Sequence, residues 1–286
     1  MPPSNYDYPG YERSGPAYWS KTALLYGGVG IGALLWSLPF WWMLLTAVSA
    51  NPTGAGSSLI PAETTFANFE ELFATQPVGR WFFNTIVFAG SVTLFNLTFD
   101  SLAGYALAKV EFVGREKLFL LFVATIMVPS MVTLIPVFIL LSELGWVNSY
   151  QGLIAPLIAN PLGIFLLRQQ FKSLPSSLGD AAKIDGCNEL QTFYKVYLPL
   201  AKPALATLGI YTFVTTWKNF EWPLIIASDE SMYTLPVALF AVRNQYFTEW
   251  GLVMAAATVI VLPVLVVFMS AQKYFIRGMT LSGMKG

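Results

Sequence analysis

Few residues in this chain are able to do chemistry. It has no histidine and a single cysteine, Cys187. That excludes zinc sites of the HExxH kind, Ser-His-Asp triads, histidine-ligated haem and an internal disulfide framework. Only three ionisable residues, Asp100, Lys218 and Glu221, fall inside long apolar stretches. Charges at membrane depth are expensive and mark ion or solute pathways; an ion-coupled carrier would use such groups for coupling. Lys218 and Glu221 are three residues apart, share a helix face and could pair. They read equally as the lining of a polar path for solute, together with Trp217 and Asn219, or as side chains snorkelling from the outer end of a span. Asp100, towards the inner end of its span, reads as a structural pairing.

The elements that must position these residues are apolar helices. Of the 286 residues 55% are hydrophobic and 11% charged, against roughly 25% charged in soluble domains. Sixteen basic and sixteen acidic residues cancel, so the charge balance gives no footprint for nucleic acid. Spanning a bilayer takes about 20 apolar residues, and six candidate spans follow: Thr22–Val48, Trp81–Ala108, Leu118–Leu141, Tyr150–Leu167, Ala204–Ile226 and Leu252–Ala271. Pro39, Pro129, Pro136, Pro156, Pro161, Pro223 and Pro263 interrupt them, which favours a multi-helix transport pathway over a simple anchor. The N-terminal "MPPSNYDYPGYERSGPAYW" lacks a basic n-region, so a cleaved signal peptide is not expected.

With the N-terminus inside, thirteen Lys and Arg residues fall in inner segments and only Arg80 and Arg243 in outer ones. This bias places both termini in the cytoplasm. Trp81, Trp146, Trp222 and Trp250 then mark outer boundaries, as an aromatic belt does. The expected organisation is a cytoplasmic tail over residues 1–21, a membrane domain over 22–276 and a second tail over 277–286. The first external loop spans 49–80, where Asn68 and Glu71 read as a capping box.

One polar stretch, "LGDAAKIDGCNELQTFYKVYLPLAKP", lies on the cytoplasmic side between the fourth and fifth spans. Ser176 or Ser177 can cap a helix starting near Leu178, with Asp180 in its first turn. Asp185-Gly186 is a natural stop. Asn188 and Gln191 form a second capping-box pattern. Leu190, Phe193, Tyr194 and Tyr197 then give an apolar stripe at helical spacing, and Pro199 and Pro203 end it. The stretch is therefore a helix–turn–helix. One reading is an interfacial loop that only connects two spans; its small residues beside a glycine turn suit insertion into another protein's cleft.

Those residues resemble the EAA loop of permease subunits in bacterial ABC importers. The pattern is Glu-Ala-Ala, three residues, Gly, then an apolar run ending in Leu-Pro and a further proline. Asp180, Ala181, Ala182, Gly186, Leu198, Pro199 and Pro203 fit it, with Asp180 in place of glutamate. The likeness runs from about Phe66 to the C-terminus. "FFNTIVFAG", "LAGYALAKVEFVGRE", "MVPSMVTLIPVF", "LGWVNSYQGLI", "GIFLLRQQF" and the tail "RGMTLSGMKG" resemble the carbohydrate-uptake branch, most of all the smaller, maltose-type permease. In "TTWKNFEWPLI", Lys218 and Asn219 stand where that branch carries Asn and Asp.

The resemblance implies an all-α polytopic protein of the bacterial inner membrane, with the type I importer fold and six transmembrane helices. Residues 173–203 would be its coupling loop. Asp180, Ala181, Ala182, Asp185, Gly186, Leu198 and Pro199 would then dock into a cytoplasmic ATPase dimer. The implied partners are that ATPase, a second homologous permease, an extracytoplasmic solute-binding protein facing residues 228–250, a sugar-type solute and membrane lipid. ATP and Mg would sit on the ATPase, because this chain has no Walker A sequence and is not itself expected to be an enzyme. Glycerol phosphate, or an ion-coupled secondary carrier, are the alternatives.

Overall fold

A computed structural model describes residues 16–50, 61–246 and 249–282. The "NPTGAGSS" turn signal and the tail residues 283–286 lie outside the described residues. The described chain is helical. Its elements are α1 (Pro16–Ala47), α2 (Ala67–Thr75), α3 (Val78–Lys109), α4 (Arg115–Ile126), α5 (Ser130–Glu143), α6 (Tyr150–Ile154), α7 (Pro161–Ser173), α8 (Ser177–Ile184), α9 (Glu189–Thr192), α10 (Leu198–Leu200), α11 (Lys202–Trp217), α12 (Glu221–Ile226), α13 (Leu235–Gln245) and α14 (Trp250–Ser282).

Three helices are long and apolar enough to cross a membrane: Ser20–Ala47, Val78–Lys109 and Trp250–Val267. Two bent pairs bring the number to five: α4 with α5, turned by 99°, and α6–α7, turned by 43°. The bends follow the prolines. Pro129 precedes α5, and a proline biases the residue before it away from helix. Pro156 sits in a 3-10 turn, Ala155–Leu157, and Pro161 opens α7. The expected span Ala204–Ile226 is also broken. α11 ends after 16 residues at Trp217, Lys218 is its C-cap, and α12 starts afresh at Glu221.

α3 is the mast of the fold and packs most extensively against α7 and α11. Its helix is uninterrupted, yet it buries an unusual set of polar residues: Asn84, Thr85, Asn96 and Asp100. Each serves a backbone that has lost its own helix partners. Asn84 Nδ2 donates to the carbonyls of Ser231 (2.8 Å) and Tyr233 (2.9 Å), and Tyr150 Oη donates to Asn84 Oδ1. The amide of Leu235 donates to Thr85 Oγ1. Asn96 Nδ2 donates to the Leu157 carbonyl at 2.6 Å, at the α6–α7 break. The Asn160 amide at the same break donates to Asp100 Oδ1 at 2.9 Å. Asp100 therefore has the structural pairing its position led us to expect.

Close approach at these points needs glycine. A Cβ on Gly163 would collide with Asp100 Oδ2, and one on Gly104 would meet the Arg168 amide at 2.9 Å. Arg168, fully inside α7, is also held by α3 and α4. Its Nε donates to the Leu107 carbonyl, its Nη2 pairs with Glu116 at 2.6 Å, and its guanidinium lies 3.8 Å over the Phe119 ring.

Two local expectations are corrected. Asn68 does not cap α2, whose N-cap is Phe66. Its amide instead reaches back to the Ala47 and Ser49 carbonyls and ties down the end of α1. The start of α8 is also different: Ser176 is the N-cap but its side chain makes no capping hydrogen bond, because its backbone is already helical at φ −68°.

The α3–α7 contact gives a direct test. Gly163→Ala should destabilise the detergent-purified protein by about 1–3 kcal/mol through overpacking. Combined with Asp100→Ala, it should cost clearly less than the sum of the two single changes. Thermal unfolding of the four proteins measures the coupling, and additive costs would mean that Asp100 and Gly163 do not share this contact.

Candidate functional site

Two constellations concentrate the candidate residues, one at the end of α3 nearest Lys109 and one at the helix breaks. The first is the polar stretch, which folds as the expected helix–turn–helix. α8 ends in a Schellman arrangement. The Cys187 amide donates to the Ala182 carbonyl (2.9 Å) and the Gly186 amide to that of Lys183 (3.0 Å). Gly186 takes φ +81°, the left-handed conformation that this closure requires. α9 opens with the full capping box: Asn188 Oδ1 accepts from the Gln191 amide and Gln191 Oε1 from the Asn188 amide.

The apolar stripe does not run as a regular helix predicts. A π turn over Phe193–Tyr197 shifts the phase, so Phe193 and Tyr197 turn inward while Leu190 and Tyr194 remain exposed. Phe193 and Tyr197 pack around Tyr105 of α3 at ring-centroid distances of 5.1 and 5.5 Å, with Phe171 of α7 closing the cluster. Gly179 brings α8 against this cluster, where a Cβ would meet Tyr197 Oη at 2.9 Å.

Polar contacts fix the hairpin in register. Glu189 accepts from Tyr105 Oη at 2.9 Å through Oε2 and pairs with Lys183 at 2.7 Å through Oε1. Lys109 Nζ, the last residue of α3, donates to the Leu174 carbonyl at 2.6 Å. A polar cavity of about 650 Å³ lies between the end of α3 and the hairpin, with Lys109, Lys172, Asp180 and Glu189 on its walls. The hairpin also leaves apolar side chains at its surface: Ile184 is 87% exposed and Leu190 61%. Asp180, Ala181, Asp185, Gly186 and Pro199 are also exposed, whereas Ala182 is buried and Leu198 half-buried.

The second constellation lies where the breaks meet. A cavity of about 190 Å³ is bounded by the start of α5 (Ser130, Thr133), the α6–α7 corner (Pro156, Leu157) and the α11–α12 break with Asn219, Glu221 and Trp222. Asn219 Oδ1 accepts from the Trp222 amide. The break takes Lys218 and Glu221 off a common helix face, and no ion pair joins them among the described residues. Trp217 does not reach this cavity. It is buried in the subunit's own core, 2% exposed, with Nε1 donating to the Ile260 carbonyl of α14.

Sequence reasoning missed Tyr105, Glu189 and Lys183 as a connected set, because Tyr105 lies 84 residues from Glu189 and the turn at Gly186 brings Lys183 to Glu189. The α3 polar face did leave a signal. Asn96, Asp100 and Gly104 follow at four-residue steps, which places them on one side of the helix.

The family profile of binding-protein-dependent transport system inner membrane components matches residues 100–281. Curated relatives include the arabinooligosaccharides transport system permease protein AraQ of Bacillus subtilis, 35% identical over 89% of this chain and 92% of that one. The trehalose/maltose transport system permease protein MalG of Thermococcus litoralis is 31% identical over 93% and 98%. Among solved structures, a chain of a bacterial ABC transporter that imports the acidic polysaccharide alginate superposes with a TM-score of 0.81 at 26% identity, covering 94% of this chain and all of that one.

The hairpin's ion pair has a defined pH window. Its hydrogen bond to Lys183 lowers the Glu189 pKa below the ordinary 4.5, and the same bond raises that of Lys183 above 10.5. A depressed acid stabilises above its unfolded pKa and loses that contribution as pH falls through the folded one; a raised base loses its own as pH rises through the folded one. Amide hydrogen exchange at Asp185–Asn188 should therefore stay flat through neutral pH once corrected for intrinsic rates, and accelerate only below about pH 4.5 or above about 10.5. Glu189→Gln should remove the acid limb; an unchanged acid limb would assign it to other groups. Fold, helix breaks and matching profile converge: the chain belongs to the family of binding-protein-dependent transport system inner membrane components.

Proposed function

We propose that this chain is one half of the transmembrane permease of an ATP-driven importer for a sugar or oligosaccharide, seated in a bacterial inner membrane. The carrying observation is the hairpin Ser177–Leu200. It is anchored inward on Tyr105 and Phe171, while Ile184 and Leu190 face outward uncovered. Exposed apolar side chains on a rigid, glycine-turned projection fit a partner's cleft. Here that partner is a cytoplasmic ATPase dimer holding ATP and Mg, and its closure moves the hairpin as a body. α3 carries the movement into the membrane and tilts the breaks lining the path.

On this reading the membrane is crossed six times, with α11–α12 as the fifth pass and both termini in the cytoplasm. A second, homologous permease completes the path, and an extracytoplasmic binding protein delivers solute. Sugars are favoured because relatives are named for arabinooligosaccharides, trehalose/maltose and lactose. Glycerol phosphate is the second reading, since the sn-glycerol-3-phosphate permease UgpE of Pectobacterium atrosepticum is 32% identical over 94% of this chain. An ion-coupled carrier is disfavoured, because the relatives are named as permease proteins of sugar and glycerol phosphate transport systems and the profile matched is that of binding-protein-dependent systems.

Affinity purification from native membranes in mild detergent should bring down a Walker-containing ATPase and a second permease. A chain that purifies alone or only with itself sinks the proposal. In the intact complex, Gly186→Val places a β-branched residue at φ +81° and should abolish uptake while membrane insertion persists. Normal uptake by that variant would remove the hairpin from the coupling.

A further inference from the structure

Three independent helix breaks converge on the 190 Å³ cavity described above. They lie between α4 and α5, between α6 and α7, and between α11 and α12. Broken helices are tolerated at membrane depth where they line a protein-enclosed cavity, and in transporters they mark solute sites. The volume is below the roughly 300–1,000 Å³ of a pocket that holds a whole small ligand, as befits half of a site completed by a second subunit. Its polar walls come from Ser130, Thr133, Asn219 and Glu221, with Trp222 among the apolar ones. Asn219 uses its Oδ1 on the Trp222 amide, which leaves its Nδ2 as a donor for solute.

The charge of this wall is one-sided. Glu221 is the only ionisable residue among the cavity's walls, and the neighbouring Lys218, the C-cap of α11, is not one of them. We infer that the cavity is a direct solute subsite of this subunit, one that accepts an uncharged sugar ring and discriminates through Glu221 against phosphates and uronates. Hydroxyls can donate to the Glu221 carboxyl and accept from Asn219, whereas an anion seated beside Glu221 meets a like charge at close range. This deepens the importer reading and rests on it. It separates this chain from the alginate importer it resembles in fold and from a glycerol phosphate permease.

The test uses the complete complex in nanodiscs, where both faces are accessible, with Asn219→Cys in the permease. Cationic and anionic methanethiosulfonate reagents of similar size are applied without nucleotide and after vanadate trapping. Peptide mass spectrometry follows positions 219 and 187 separately. Each rate is divided by that reagent's rate with a small free thiol, because a thiolate intrinsically favours the cation. On this normalised scale the cationic reagent should modify position 219 about ten-fold faster than the anionic one, in at least one of the two states. Glu221→Gln should erase most of that preference, and Glu221→Lys should reverse it, with rates at Cys187 unchanged. No modification at 219 in either state, or equal normalised rates with both reagents, overturns the subsite. The glycan bound to the co-purified binding protein, identified by mass spectrometry, should carry no phosphate or carboxylate; a charged one overturns the discrimination. Failure of any ATPase to co-purify would instead defeat the importer reading, and is scored separately from the labelling.

Discussion

Hydrocarbon offers no hydrogen bonds, so each backbone group freed at a helix break must find its partner inside the protein. Everything else in this fold depends on that constraint. An unmade bond on a buried backbone group costs about 1–3 kcal/mol, and this chain frees such groups at every proline-punctuated pass. The remedy is concentrated on one unbroken helix. α3 supplies Asn84 and Thr85 to the segment leading into α13, and Asn96 and Asp100 to the α6–α7 corner. Tryptophans complete the set, with Trp222 Nε1 on the Leu153 carbonyl and Trp217 Nε1 on that of Ile260, a turn before Pro263. An unbroken polar-faced mast thus allows its neighbours to be broken.

That arrangement also explains how one helix serves two sites. The side of α3 that holds the α6–α7 corner continues to Gly104 against α7, and Tyr105, the next residue and about 100° further round the helix, meets the aromatic cluster under the hairpin. On the importer reading, a displacement of the hairpin would reach α3 at Tyr105. Asn96, where the broken backbone is held, lies about two and a half turns further along the same helix. Packed interiors transmit such displacement because they compress little. Arg168 ties α7 to both α3 and α4.

Much of this was legible in the sequence, for identifiable reasons. Apolar runs and prolines gave the helices and the places where they break. The αL glycine at Gly186 and the Asn188–Gln191 box fixed the hairpin, because local chemistry decides local turns. Long-range choices were not legible. Asn68 satisfies capping statistics, yet it serves the Ala47 and Ser49 carbonyls, which no local pattern could disclose. The stripe from Leu190 to Tyr197 assumed 3.6 residues per turn, and a π turn between Phe193 and Tyr197 broke the count. Adjacency in the sequence groups Trp217 with Lys218 and Asn219, but α11 ends at Trp217, whose side chain lies in the core.

The relative strengths of the hairpin's attachments decide what kind of joint it is. Lys183 and Glu189 are both about half exposed, and exposed pairs contribute about 0–1 kcal/mol. Burying Phe193 or Tyr197 contributes more, about 1.5–3 kcal/mol for an aromatic or aliphatic side chain of this size. The aromatic cluster therefore carries load between hairpin and α3, while the Tyr105–Glu189–Lys183 chain sets the angle at which it is carried. A joint built the other way round, on ion pairs alone, would swivel under load. Apolar packing has no preferred direction of its own, and hydrogen bonds have one; the lever that the importer reading requires would need both.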